Sequence, residues 1–152
     1  MPDAAQSLVD TVIGISATLP TTYDNNVSTG YPARTYVVLG QITDWTPGGK
    51  TFNLTTSNPV AQRGTDKLKG SYNNDADTIS VNRDDDDVGQ VVTLAALASD
   101  NDYAFEVIFQ DGSEDYFTAK VVSHNTVAGG ADAMVQITIQ LERTRDTISV
   151  AP

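Results

Sequence analysis

The side chains that most often carry chemistry are scarce in this chain. Its 152 residues include one histidine, His124, and no cysteine. Without cysteine there is no thiol nucleophile, no disulfide framework and no thiolate zinc site. One histidine rules out a multi-histidine metal centre. A Ser-His-Asp site would have to use His124, yet the sequence has no G-x-S-x-G turn, and His124 lies beside Asn125 at an expected strand end. It reads as an ordinary exposed histidine. Carboxylate pairs are easy to find among the crowded acids of residues 71–118, but these acids fall in turns and at a helix start. Glycoside hydrolysis needs two carboxyls opposed across a cleft. Asn73, Asp75, Asp77 and Asp84 have the spacing of positions 1, 3, 5 and 12 of a calcium loop. Thr78 stands where that loop needs glycine, and strand-like Ile79-Ser80-Val81 follows, so a calcium site is not expected. No Walker A or G-x-G-x-x-G run occurs. The expectation is a non-enzyme with no cofactor and no metal.

Charge narrows the class further. Twenty acids face nine Lys and Arg, net -11, pI about 4.1. A phosphate-gripping surface needs clustered Lys and Arg, and anionic membranes repel such a chain. No apolar run is long enough to span a bilayer. Met1–Gln6 has neither a basic n-region nor a long apolar stretch, so a secretory signal is not expected. The imbalance is local. Residues 31–70 carry five bases (Arg34, Lys50, Arg63, Lys67, Lys69) and two acids, whereas residues 71–118 carry Arg83 and twelve acids. A solvated acidic face is one reading, and head-to-tail electrostatic docking between copies is another.

The elements that would position these residues are mostly strands. Residues 1–34, rich in Thr, Asn, Pro and Gly, read as an arm with a short strand near Leu8–Ile15. Thr35–Thr43 reads as a strand, and Thr51–Thr55 as a strand able to pair with it across the turn Pro47-Gly48-Gly49. Ser57–Gly70 reads as a long polar, basic loop. Ala76–Asn82 alternates. Asp84-Asp85-Asp86-Asp87 then supplies an aspartate cap to a helix over Val88–Ala98, with an apolar stripe at Val91, Leu94, Ala95 and Ala98. Tyr103–Gln110 and Asp115–Ser123 form a hairpin about Asp111-Gly112. Met134–Glu142 alternates most regularly, and residues 143–152 form a tail. Five or six strands and one helix predict a mainly β (α+β) chain: an antiparallel β-sandwich or partial barrel with one flanking α-helix, a long loop and an N-terminal arm. Its expected core is Val107, Phe109, Val135, Ile137, Ile139 and Leu141 against Val91, Leu94 and Leu97.

The polar strand faces are nearly uncharged: Thr78, Ser80, Gln136, Thr138 and Gln140. Solvent faces often carry Lys, which blocks unwanted edge pairing. Neutral faces with few such guards suit a sheet that continues through neighbouring copies. A non-assembling sandwich that binds carbohydrate or calcium is the alternative, but Trp45, Tyr23, Tyr31, Tyr72 and Tyr103 are scattered along the chain.

The order of features resembles the tail tube (major tail) proteins of long-tailed, lambda-like bacteriophages. The resemblance runs over roughly residues 35–142. It rests on Val38-Leu39-Gly40-Gln41-Ile42-Thr43-Asp44-Trp45, the loop Pro47–Gly70, the helix opening Asp84-Asp85-Asp86-Asp87-Val88-Gly89-Gln90, and Phe105–Gly112 with Tyr116–Val121. It implies an inter-subunit arm (1–34), a tail-tube-like β-sandwich (35–142) and a C-terminal tail (143–152). It further implies a virion structural protein, made in the host cytoplasm, that forms stacked, hexameric rings lined by a continuous β-barrel. Implied partners are further copies of itself, tape-measure and terminator proteins, and DNA in transient, non-specific passage. Lumen-facing residues would be Thr78, Ser80, Glu106, Gln136, Thr138, Gln140 and Glu142. Inter-ring or inter-subunit contacts would use Arg34, Arg63, Lys67, Lys69, Asp84, Asp85 and Asp86. Another ring-forming tail or neck protein of the same fold would share these features.

Overall fold

The computed structural model describes residues 8–152, so the first seven residues of the expected arm lie outside the described residues. Strands β1 (Val12–Ser16), β2 (Val37–Val38), β3 (Ile42–Thr46), β4 (Lys50–Ser57), β5 (Asp66–Asn74) and β6 (Ala76–Asn82) precede the helix α1 (Val88–Ala98). Strands β7 (Tyr103–Ile108), β8 (Glu114–Val127), β9 (Gln136–Arg143) and β10 (Ile148–Val150) follow it. The main sheet runs β2-β1-β7-β8-β9-β6-β3, with β10 also on β8; β4 and β5 form a separate two-stranded ribbon. Every pairing is antiparallel.

Strand β8 organises the sheet. Glu114–Ala119 pairs with β7, and Ala119–Val127 pairs with β9. A bulge between Val121 and Ser123 lets this 14-residue strand bend from one half-sheet to the other. One core fills the space between the halves. Ile13, Ile15, Phe105, Val107 and Phe117 meet Ile79, Val81, Ile137, Ile139 and Leu141, with Phe109 and Trp45 at its margin. The result is the expected mainly β sandwich or partial barrel with one α-helix. On the opposite face of β7 and β8, Tyr31, Ala104 and Tyr116 form a second cluster with Tyr23 and Tyr36. Tyr31 stacks on Tyr116 at 5.6 Å and its hydroxyl meets Thr118 Oγ1 at 2.8 Å, which pins residues 17–36 to the sheet.

Several local expectations are corrected. The strand over Thr35–Thr43 is interrupted, because Gln41 takes a left-handed φ of 60° and its carbonyl accepts the Asn82 N–H. β4 pairs with β5, not with the strand before it; β3 pairs with β6. Ser57–Gly70 is a loop only over residues 58–65, since Asp66–Asn74 is a strand. The strand count also exceeds five or six, as β10 lies in the tail and β5 in the expected loop.

The helix forms where expected but presents the other side. Gly89, Gln90, Thr93 and Ala96 are buried, whereas Val88, Val91 and Leu94 are 61%, 54% and 53% exposed and Leu97 is exposed too. Val91, Leu94 and Leu97 therefore do not fill the core. The reason is backbone proximity: a Cβ on Gly89 would lie 2.3 Å from the Val38 carbonyl oxygen. Gln90 fixes the same side by donating to the Asn82 carbonyl at 2.9 Å and accepting the Asp84 N–H at 3.0 Å. Asp87 caps the helix, accepting from Gln90 N at 3.0 Å and Gly40 N at 3.1 Å. Val135 is also exposed, because it precedes β9 and gives its carbonyl to Arg83 N.

Candidate assembly surfaces

The neutral strand faces become one surface. Register places Thr78 opposite Gln140, Ser80 opposite Thr138, Asn82 opposite Gln136 and Ala76 opposite Glu142. β8 extends this face with Ser123 and Asn125, and β3 extends it with Asp44 and Thr46. Lys120, opposite Glu142, is neutralised by Asp102 at 2.7 Å. Six of the seven residues expected to face a lumen thus lie together on β6 and β9. Glu106 is on the same side of the sheet but farther along, between Gly14 and Tyr116. Burial, and then the Glu114 carboxylate, push its carboxyl above the usual range.

The β4–β5 ribbon is the most exposed element. Every residue from Lys50 to Tyr72 is exposed. Its two faces differ. Cross-strand register gathers Lys50, Phe52, Tyr72, Leu54, Lys69, Thr56 and Lys67 on one face, while Thr51, Asn73, Thr55 and Leu68 take the other. Phe52 and Tyr72 lie 5.3 Å apart, with Lys69 Nζ 4.9 Å from the Phe52 ring and Lys50 Nζ 4.3 Å from the Tyr72 ring. Arg63 sits in the exposed turn. Sequence reasoning found the lysines but missed Phe52, Leu54 and Tyr72. Their signal was the alternation Lys50-x-Phe52-x-Leu54.

A buried ionic node holds the root of the ribbon. Asp77 is wholly buried and the Arg143 side chain nearly so. Asp77 Oδ1 accepts from Arg143 Nε at 2.6 Å and Gly48 N at 2.9 Å; Oδ2 accepts from Arg143 Nη2 at 2.8 Å and Trp45 Nε1 at 3.2 Å. Arg143 also donates to Thr147 and stacks 4.1 Å over Phe117. Just outside it, Lys50 pairs with Asp146 at 2.9 Å and Thr51 donates to Asp75 at 3.0 Å. Asp75 and Asp77 are thus engaged separately, and the spacing that mimics a calcium loop gathers no ligand cluster. Among the described residues no group of three or more His, Asp or Glu could hold a metal.

The acidic run heads the outward helix stripe. Asp84 Oδ1 accepts the Asp86 N–H, and Arg83 offsets part of the charge on Asp85 at 3.0 Å. A groove of about 240 Å3 lies between this run and the sheet, lined by Asp84, Asp85, Val91, Leu94, His124 and Ile137. Burial, and nearby Arg83, hold His124 below its usual pKa, so it adds no positive charge to the groove at neutral pH. Arg34, the remaining residue expected at a subunit contact, is half-buried in the arm near Tyr36.

The sequence matches no family model and no curated protein. Solved structures do share the fold. A chain of the SPP1 tail tube superposes with a TM-score of 0.62 at 13% identity, covering 94% of this chain and 77% of that one. A chain from the tail of an empty gene transfer agent particle, refined with C6 symmetry, gives 0.66 at 11% identity over 97% and 100% of the two chains. A chain of the sheath-tube complex of PVC, an extracellular contractile injection system, gives 0.64 at 8% identity over 99% and 94%. The chain has the fold of the tail tube proteins of phages and phage-like injection systems.

Proposed function

We propose that this chain is the structural subunit of a phage-type tail tube, polymerising as stacked hexameric rings around a channel for DNA. The β4–β5 ribbon carries this reading. Two strands alone are marginal in water, and this ribbon exposes both faces with three large apolar residues on one of them. Among the described residues nothing buries either face, so a surface from another molecule would complete it. Two further features support the reading. Among the described residues β2 and β3 end the main sheet with unpaired edges, which can pair with neighbouring subunits and carry the sheet round a ring. The face of β6 and β9 is polar and almost uncharged, so a wall made from it would not bind phosphates, and DNA would pass without being held. Thr78, Ser80, Gln136, Thr138, Gln140 and Glu142 would coat the bore, with Glu106 farther along the same face.

Stacking requires unlike surfaces to meet, and such heterologous contacts generate open filaments. The ribbon bases Arg63, Lys67 and Lys69, Arg34 in the arm, and the acids Asp84, Asp85 and Asp86 would supply these contacts. Tape-measure and terminator proteins would set the length. Electron microscopy of the concentrated protein tests the reading. Rings or hollow tubes are expected; monomers at every concentration would overturn it.

A further inference from the structure

From the two surfaces left unpartnered, we infer that the Lys-and-aromatic face of the β4–β5 ribbon of one copy docks on the outward stripe and acidic head of α1 of a second copy. This rests on the tube reading and names the seat of its axial contact. The docking face combines Phe52, Leu54 and Tyr72 with Lys67 and Lys69; Lys50, at its root, is already paired with Asp146. The seat combines Val88, Val91 and Leu94 with Asp84, Asp85 and Asp86, and has a groove beneath Val91 and Leu94. Each surface pairs exposed apolar side chains with one sign of charge, and the signs are opposite.

The match is sided. The other ribbon face carries Thr51, Thr55, Ser57 and Asn73 with one large apolar residue, Leu68, and has Asp66 and no lysine. The buried face of α1 is taken up by the sheet, and its Val-Leu stripe is exposed. Turning the ribbon over would lay threonine hydroxyls on Val91 and Leu94 and move the lysines away from the acids. The two partners are different parts of the chain, so each copy can give one ribbon and receive one. The contact therefore propagates and does not close a dimer. Apolar contacts at its centre would set the strength, and the charge pairs would set register and approach rate.

The chain has no cysteine, so L54C and L94C variants each carry a single thiol. The two variants, one with a size tag, are mixed, assembled and oxidised. The expected product is the L54C–L94C disulfide, formed in tubes and not in dilute monomer. Tubes in which L54C–L54C or L94C–L94C products dominate would overturn the docking and leave the tube reading standing. Independently, K67E/K69E should raise the threshold concentration for tubes by about tenfold or more, and D84K/D85K should do the same. Mixing the two variants should restore assembly at half the possible contacts. Each variant's far-UV circular dichroism checks its fold. If K67E/K69E and L94D both assemble as the unmodified chain does, the seat is wrong. If the unmodified chain forms neither rings nor tubes, the reading beneath it fails first.

Discussion

Replacing Asp77 with asparagine is the sharpest test of how the ribbon root is built. The change keeps size and shape but removes charge and one acceptor. Both Asp77 oxygens accept from two donors each: Arg143 Nε and Gly48 N on one side, Arg143 Nη2 and Trp45 Nε1 on the other. An asparagine NH2 must take one of those places in either orientation, and there it faces two donors. Arg143 would also keep a nearly buried positive charge with no counter-ion. Removing one partner of a buried pair costs about 3–5 kcal/mol. That is a large share of the ~5–15 kcal/mol that holds a domain folded. At roughly 2–4 °C per kcal/mol for a domain of this size, the midpoint should fall by about 6–20 °C. Trp45 is the only tryptophan and belongs to the node, so its emission and far-UV circular dichroism should report the loss together during urea unfolding. The apolar replacement D77L/R143M should recover part of the loss, because it leaves no buried charge behind although Gly48 N and Trp45 Nε1 lose their acceptor. A D77N loss below about 1 kcal/mol, or a double variant no better than D77N, would refute this account of the node.

Gly89→Ala should destabilise by about 1–3 kcal/mol in urea titration, since its Cβ would meet backbone atoms of Val38 and Leu39 at 2.3–2.6 Å. Ile137→Asp, at a site 4% exposed opposite Val81, should abolish the folded circular dichroism spectrum by burying an unpaired charge. Glu106 has a raised pKa in the fold, so its stabilising contribution is present below the ordinary carboxylate range and is lost as pH rises through the raised value. Glu106→Gln should therefore melt higher than the unmodified chain at pH 7, and the difference should shrink as pH falls. Tube assembly should weaken with salt, because Lys67, Lys69, Asp85 and Asp86, which are proposed to meet, are exposed and the screening length falls from about 10 Å at 0.1 M to about 3 Å at 1 M. Light scattering across that range reads the effect.

Strands β6 and β9 were legible because each buries one face, and β7 because Phe105 and Val107 alternate into the core. Ile79 and Val81, and Ile137, Ile139 and Leu141, alternate with polar residues, and that alternation is the burial; in β7 Ala104 is buried as well, on the other face. Half of the ribbon was legible: Thr51–Thr55 alternates as a strand, but its partner β5 lies largely in the polar stretch Ser57–Gly70, which reads as a loop because the ribbon buries neither face. The existence of α1 was legible from its cap and period. Its orientation was not, because close backbone contact at Gly89 and the hydrogen bonds of Gln90 outweighed the Val-Leu stripe. The Asp77–Arg143 node was hidden by separation: 66 positions divide its partners, and Asp77 looked like one more acid of an acidic block. The polar face of β6 and β9 could be named from the sequence; joining it into one surface with Ser123 and Asn125 required the register across the bulge in β8.

The standing ribbon also bears on kinetics. A two-stranded arm that gains packing only from another molecule offers little to a single partner in dilute solution. An end that already presents several seats in a ring can hold several arms together, each contact raising the effective concentration of the next. Growth from a preformed seed should then be fast while spontaneous starts stay rare, giving a lag that seeds abolish. Such a subunit can remain dispersed where it is made until an initiating platform provides the first ring of seats.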